Sequence, residues 1–334
     1  MFRSPSLALA TLALALTACS RDATTSADGG ATAAKPARLK IAVVPKGTTH
    51  EFWKSVHAGV VKASRELDVD VVWKGPLKED DLRAQIDVVQ TFVAQGVSGI
   101  VLAPLNDSAL KAPVRAAKDA KIPVVIFDSD LQGDEHVSFV ATDNVAAGKI
   151  AADALSKSVG KGNVVVLRYQ EGSASTQNRE KGALDALRTM SAFTVVSDNQ
   201  YGGATTESAF QKSESLLVAQ KAPLAGVFTP NESTTFGMLL ALRKTGSAKK
   251  VKLVGFDASE KLVGALRDGD IDGLVVQNPF RMGYLATKAM VDHLRGKAVE
   301  RRIDTGARLV TKANLDDPEI KELVQPDLKK WLND

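Results

Sequence analysis

The sequence predicts an α/β fold of two similar, doubly wound parallel-sheet lobes. Three observations predict it. Short β-branched runs alternate with amphipathic helical stretches; the whole series occurs twice in the same order; and strand starts in each half first fall roughly thirty residues apart, the length of one strand–helix unit. The chain has 334 residues, long for one domain and comfortable for two, and 44% hydrophobic residues, enough for ordinary buried cores.

The elements follow in order. Residues 39–44 read as the first strand, 51–67 as a helix and 69–73 as the second strand, with Trp73 in the core. Apolar residues at helical spacing (Leu82, Ile86, Val89, Val93) predict a helix over 78–95. A strand at 99–103, a helix at 107–120 and strands at 123–127 and 137–141 complete a five-strand unit. The second half repeats it with strands at 164–167, 193–196, 225–228, 251–255 and 273–276. Short strings echo too: Gly99-Ile100-Val101-Leu102-Ala103-Pro104 against Gly226-Val227-Phe228-Thr229-Pro230, and Phe127-Asp128 against Phe256-Asp257.

The segment before the first strand reads differently. Arg3 precedes an Ala/Leu run at 7–16 that is too short to span a bilayer. Leu16-Thr17-Ala18-Cys19 then resembles the lipobox of bacterial lipoproteins, in which the cysteine thiol accepts the lipid; Cys19 is the only cysteine in the chain. Residues 1–19 are thus expected to be a lipoprotein signal peptide. Residues 20–37, rich in Ala, Thr, Ser, Asp and Gly, are expected to be a flexible tether. The expected location is the cell envelope, with the protein held on a membrane by its N-terminal lipid.

Composition narrows the function. The 43 basic and 39 acidic residues are interspersed, with a formal net charge of +4, so no nucleic-acid surface is expected; Lys249-Lys250-Val251-Lys252 runs into a strand and reads as a solvated edge. No G-x-S-x-G elbow, phosphate loop or zinc-ligand cluster is found, and the four histidines are scattered, so no enzyme, metal or cofactor is expected. His57 reads as surface, and His50 faces the candidate cleft.

In open parallel sheets, ligands bind beyond the carboxyl ends of the strands. The residues there are 46–53, 104–107, 128–130 and 142–144 in the first half, and 169–179, 230–232, 257 and 277–278 in the second. They are mostly polar, with aromatics near the start of the series. Two such edges facing each other would surround a hydroxyl-rich molecule.

At these residues the chain resembles the ribose- and galactose-type periplasmic binding proteins of ABC importers, over roughly residues 39–306. The motifs are Pro123-Val124-Val125-Ile126-Phe127-Asp128, Thr142-Asp143-Asn144 with Gly148-Lys149, Asn178-Arg179-Glu180-Lys181-Gly182, Phe228-Thr229-Pro230-Asn231-Glu232, Val254-Gly255-Phe256-Asp257 and Val276-Gln277-Asn278-Pro279. The resemblance implies a three-strand hinge crossing near Asp143, Gln277 and Gly306. It implies a first lobe of 38–142 plus 278–306 and a second of 143–277 plus 307–334, with extra helical residues over 318–332. It also implies a monomer that delivers a small sugar or polyol to the membrane subunits of an ABC importer.

Carried over residue by residue, Asp128 and Asp257 accept from ring hydroxyls, and Arg179 donates a planar fork. Asn231 and Gln277 offer both donor and acceptor, and Phe52 and Trp53 stack on the sugar's C–H face. Structural readings stand beside these: an aspartate after a strand also caps a turn, Arg179 at a helix start also serves as a surface ion-pair partner, and Trp53 also serves as core. The chain departs from the ribose pattern at Ser129, which follows the first aspartate where an arginine is expected, and at Lys46 and His50. Val44-Pro45-Lys46 with Asp128-Ser129-Asp130, and also Gln177 and Pro230, resemble the binding proteins for autoinducer-2, a furanosyl signal. Thr176 and Glu232 depart from that pattern. A presenter of ligand to a chemosensory membrane protein is a third reading.

Overall fold

The computed structural model describes residues 38–332. The expected signal peptide, tether and lipid-acceptor Cys19 lie outside the described residues. The first series is β1 (Lys40–Val44), α1 (Glu51–Leu67), β2 (Asp70–Trp73), α2 (Leu82–Ala94), β3 (Gly99–Leu102), α3 (Lys111–Asp119), β4 (Val124–Phe127) and β5 (Ser138–Ala141). The second is α4 (Asn144–Val159), β6 (Gly162–Arg168), α5 (Ala174–Thr189), β7 (Phe193–Tyr201), α6 (Thr206–Val218), β8 (Leu224–Phe228), α7 (Glu232–Lys244), β9 (Lys252–Phe256), α8 (Glu260–Asp268) and β10 (Gly273–Gln277). The chain ends with α9 (Pro279–Leu294), β11 (Arg302–Asp304), β12 (Ala307–Val310) and α10 (Pro318–Val324).

These strands form two six-stranded sheets, ordered β11-β5-β4-β3-β1-β2 and β12-β10-β9-β8-β6-β7. Each half carries one strand beyond the five expected, because the short strands after α9 close the sheet edges. The first sheet is parallel throughout, whereas β12 runs antiparallel to β10 in the second. That reversal follows from the crossing itself: β11 ends at the hinge and the chain passes on into the second lobe, so β12 starts beside the end of β10, with Ala307 opposite Gln277; Gly306 at the crossing takes φ 76°.

Side chains alternate across each strand and bury both faces. In the first sheet Ile41, Val43, Val101, Val125 and Phe127 pack under α1 and α9. Ala42, Val44, Ile100, Leu102, Val124 and Ile126 pack against α2 and α3. In the second sheet, Val164, Val166, Phe228, Val254 and Phe256 pack under α4 and α5, and the opposite residues under α7 and α8.

Close helix pairs repeat the duplication. A Cβ at Gly59 of α1 would meet the Phe280 carbonyl oxygen at 1.9 Å, and one at Gly283 of α9 the Val56 oxygen at 2.1 Å. In the second lobe a Cβ at Gly148 of α4 would meet the Arg179 oxygen at 2.0 Å, and one at Gly182 of α5 the Val145 oxygen at 2.1 Å. Glycine at these positions lets each pair of backbones touch, and α4–α5 contact fixes the height of Arg179.

Four sequence expectations shift. The helix expected from 78 begins at Leu82, because the Asp81 side chain accepts from the Ala84 N–H and caps it there. The helix expected from 107 begins at Lys111; Asn106 Oδ1 takes the N–H groups of Ser108 and Ala109 and holds 107–110 as a turn. Helix over 318–332 shrinks to α10, since Pro326 cannot continue it. Trp73 is half-buried rather than core, stacked on the half-buried His57 ring at 4.6 Å.

The chain passes between the sheets after β5, after β10 and between β11 and β12. Thr142 ties these passages together: its hydroxyl donates to Gln277 Oε1 at 3.0 Å and lies 3.2 Å from the Gly306 carbonyl.

Candidate functional site

The two matching aspartates sit at equivalent strand tips in the same unusual backbone state. Asp128 after β4 has φ 60° and Asp257 after β9 has φ 67°. The Asp128 N–H donates to the Val140 carbonyl and the Asp257 N–H to that of Val275, each in the neighbouring strand. Left-handed backbone costs most residues free energy and is tolerated by aspartate, and a pair of such positions at facing sheet edges marks a built site.

In the first lobe, Lys46 follows β1 and lies 3.1 Å from Asp128 Oδ2, both side chains buried. Glu79, in the loop after β2, is the hub of this wall. It accepts from Trp53 Nε1 at 2.6 Å and from the Tyr169 hydroxyl at 2.6 Å, and lies 3.0 Å from His50 Nδ1. Burial alone would raise the Glu79 carboxyl, but the charges of His50 and Lys46 and the hydrogen bonds hold it down at about 2. Burial would likewise lower His50, but Glu79 outweighs it and raises the imidazole to about 9, so the pair is ionic near neutral pH. Phe52 and Trp53 pack edge to face at 4.9 Å, and Trp53 meets Phe127 the same way.

In the second lobe, Arg179 is buried in α5 with its guanidinium 4.3 Å from the Phe256 ring centre. Its Nε donates to Asn144 Oδ1 at 2.7 Å and its Nη1 to the Pro230 carbonyl at 2.9 Å, but Nη2 is buried without a partner. Asn231 caps α7, its Oδ1 accepting from the Thr234 N–H and hydroxyl. Asp257 accepts from Gln277 Nε2 at 2.8 Å and from the Glu232 N–H at 3.1 Å. Burial pushes its carboxyl up, against the pull of Arg179 and the Gln277 bond. Burial pushes Glu232 up to about 7, opposed by His50 and assisted by Asp257.

The two walls touch. Lys46 Nζ donates to Ser175 Oγ at 2.9 Å and lies 3.3 Å from Ser173 Oγ, the Ser175 N–H donates to Ser129 Oγ, and the Phe52 N–H donates to Glu232 Oε2 at 3.4 Å. At the rim the Glu260 N–H donates to Glu51 and the Asp107 N–H to the Gly172 carbonyl. This is a closed arrangement, and the cavity between the walls measures only about 30 Å³. A cavity of that size has room for roughly two or three water molecules, so a larger guest requires the lobes to part.

Lys46, His50, Phe52, Trp53, Asp128, Arg179, Asn231, Asp257 and Gln277 all line that cavity. Ser129 and Gln177 do not: Ser129 is fully buried as an acceptor between the lobes, and Gln177 stands half-buried on α5 away from the wall. Glu79, Tyr169, Ser175, Thr176 and Glu232 also line it. The sequence does not mark Glu79, because the helix expected over 78–95 covers it; the Gly75-Pro76 break after β2 is the available signal for a strand-tip loop. Among the described residues, no group of three or more His, Cys, Asp or Glu is placed to hold a metal ion.

Known proteins share this two-lobed fold. The family described as "Periplasmic binding protein domain" matches residues 41–298. The ribose import binding protein of Bacillus subtilis (strain 168) is 27% identical over 267 residues, covering 78% of this chain and 83% of the relative. The periplasmic component of an ABC-type sugar transport system from Hahella chejuensis is 38% identical, with a TM-score of 0.79 over 81% of this chain and 99% of that one. A carbohydrate transporter solute binding protein from Agrobacterium radiobacter, in complex with D-arabinose, is 35% identical, with a TM-score of 0.83 over 87% of this chain and 100% of that one.

Proposed function

The chain belongs to the periplasmic binding protein domain family, and from that premise we propose that it captures a monosaccharide or small polyol between its lobes and delivers it to an ABC importer. The observation that carries the reading is the wall itself. Two left-handed aspartates face each other with a buried guanidinium whose Nη2 lacks an acceptor. Hydroxyls meet all three: they donate to the carboxylates and accept from the arginine. Phe52 and Trp53 add apolar surface for C–H groups. Relatives named for ribose and allose, and a solved relative in complex with D-arabinose, support the same ligand class.

The mechanism is capture without bond making. Separated lobes expose the strand tips, a sugar binds one wall, and closure adds the groups of the other. The ligand favours the closed form only by its greater affinity for it. Each hydroxyl bonded to a charged group contributes about 1.5–3 kcal/mol, so a handful suffices for micromolar affinity, about −8 kcal/mol. The furanosyl-signal reading keeps Lys46 and Asp128 in the wall, but Gln177 stands outside it and the Pro230 carbonyl is taken by Arg179. The sugar reading therefore accounts for more of the site.

The protein works on the outer side of the cytoplasmic membrane, with Cys19 as its lipid anchor. Cys19→Ala is expected to release it from the membrane fraction. Mass spectrometry of the protein purified under native conditions tests the ligand class: a co-purified pentose, hexose or polyol supports the reading. Turnover of a bound sugar, or absence of binding across a monosaccharide panel, overturns it.

A further inference from the structure

The C-terminal segment does not stay on one lobe. Past β12, Leu315, Ile320 and Val324 are buried in the core of the second lobe. Beyond Pro326 the chain reaches the other lobe. Trp331 lies 6.1 Å from the Phe280 ring of α9 and beneath the Arg65 guanidinium of α1 at 5.6 Å, and Arg65 Nη2 donates to the Trp331 carbonyl at 3.3 Å. Both helices cover the first sheet. The segment thus runs from lobe to lobe outside the three covalent passages.

Two cavities show how close it comes to the ligand-binding wall. One of about 780 Å³ separates it from the hinge, with Gln277, Thr305 and Gly306 on one side and Trp331 on the other. A smaller one places Leu323 and Pro326 across from Phe52, Asp257 and Gln277, the backs of three residues of the proposed sugar site. Ser55 lines both, with its buried hydroxyl unpartnered.

We propose that residues 311–332 form a strap that favours lobe closure, with Trp331 as a positioning residue for ligand retention. The argument is geometric. The strap is rooted in one lobe and Trp331 rests on the other, so a rotation that parts the lobes moves α1 and α9 against a fixed root and breaks the Trp331 contacts. Contacts made only when closed raise the fraction of closed protein, and apparent affinity rises with that fraction. The retention effect rests on the sugar-binding reading; the closure effect does not.

The test compares wild type with Trp331→Ala, Trp331→Phe and Arg65→Ala, using D-ribose and D-arabinose as probes and solution scattering of the sugar-free protein. Loss of one aromatic and one cation–π contact corresponds to roughly five- to seventyfold faster sugar release, with association nearly unchanged. Trp331→Phe is expected to recover part of the loss, and Arg65→Ala, altered on the opposite lobe, to act in the same direction. Scattering of Trp331→Ala is expected to report a more open particle. A wild-type chain that binds neither probe, while Trp331→Ala still opens it, would count against the sugar-binding reading and leave the strap standing. Wild-type scattering and wild-type release rates in both alanine variants would overturn the strap.

Discussion

Arg179 provides the sharpest test of the binding wall, because its three guanidinium nitrogens have different assignments. Nε and Nη1 are held by Asn144 and the Pro230 carbonyl, and Nη2 has no protein partner. Arg179→Met keeps much of the volume and the contact with Phe256 while removing every donor. The lost charged hydrogen bond to the ligand is worth about 1.5–3 kcal/mol, which converts to a roughly 10- to 150-fold weaker dissociation constant. The variant also strands two buried acceptors, at about 1–3 kcal/mol each, so its melting temperature falls as well. Asn144→Ala separates these effects: it removes the Nε partner and leaves the ligand-facing nitrogen intact, so it should lose stability with far less affinity. Calorimetric titration with D-ribose and D-arabinose, alongside thermal melts, reads both quantities. Affinity in Arg179→Met within twofold of wild type would refute the assignment of Nη2 to the ligand.

Further consequences concern charge and packing. His50 at about 9 lies above its ordinary 6.5, so its stabilisation is present below 6.5 and lost as pH rises through 9; Glu79 at about 2 lies below its ordinary 4.5, so its share is present above 4.5 and lost as pH falls through 2. Glu79→Gln should bring the His50 titration, followed by NMR, down to its ordinary value or lower, and an unshifted His50 would contradict the pairing. Glu232, raised from 4.5 to about 7, binds protons in the folded state that the unfolded chain has released, so stability falls with pH across that window. Glu232→Gln should flatten the fall, with a higher melting temperature at pH 8 and little difference at pH 4.5. Gly148→Ala sets a Cβ 2.0 Å from the Arg179 carbonyl; it should destabilise by about 1–3 kcal/mol and weaken sugar binding too, whereas Gly264→Ala, with open space at its Cβ, should do neither.

The legibility of this chain depended on what was repeated. The Phe127-Asp128 and Phe256-Asp257 pairs stood at equivalent places in both halves, and the structure sets both aspartates in the same left-handed turn with equivalent backbone partners. Glycines at 148 and 182 fell within the motifs, although their reason, helix backbones in contact, needs three dimensions to see. The edge strands β11 and β12 carried too little pattern, at three and four residues, to stand out from a connection. Glu79 is one of four consecutive charged residues, Lys78-Glu79-Asp80-Asp81, and the cap at Asp81 keeps it out of the helix. Ser129 and Gln177 show the opposite limit. Adjacency to a site in sequence does not decide which way a side chain turns, and here one joins the lobes while the other stands clear of the wall.

The most direct measurement of the central claim is a calorimetric titration of wild type, Asp128→Ala and Asp257→Ala with whichever monosaccharide binds most tightly. One site per chain in the wild type, with affinity reduced at least tenfold in each variant while the fold persists, is the result expected when a guest is gripped from both lobes at once. Wild-type affinity in both variants would mean that the facing strand tips are not where the ligand is held.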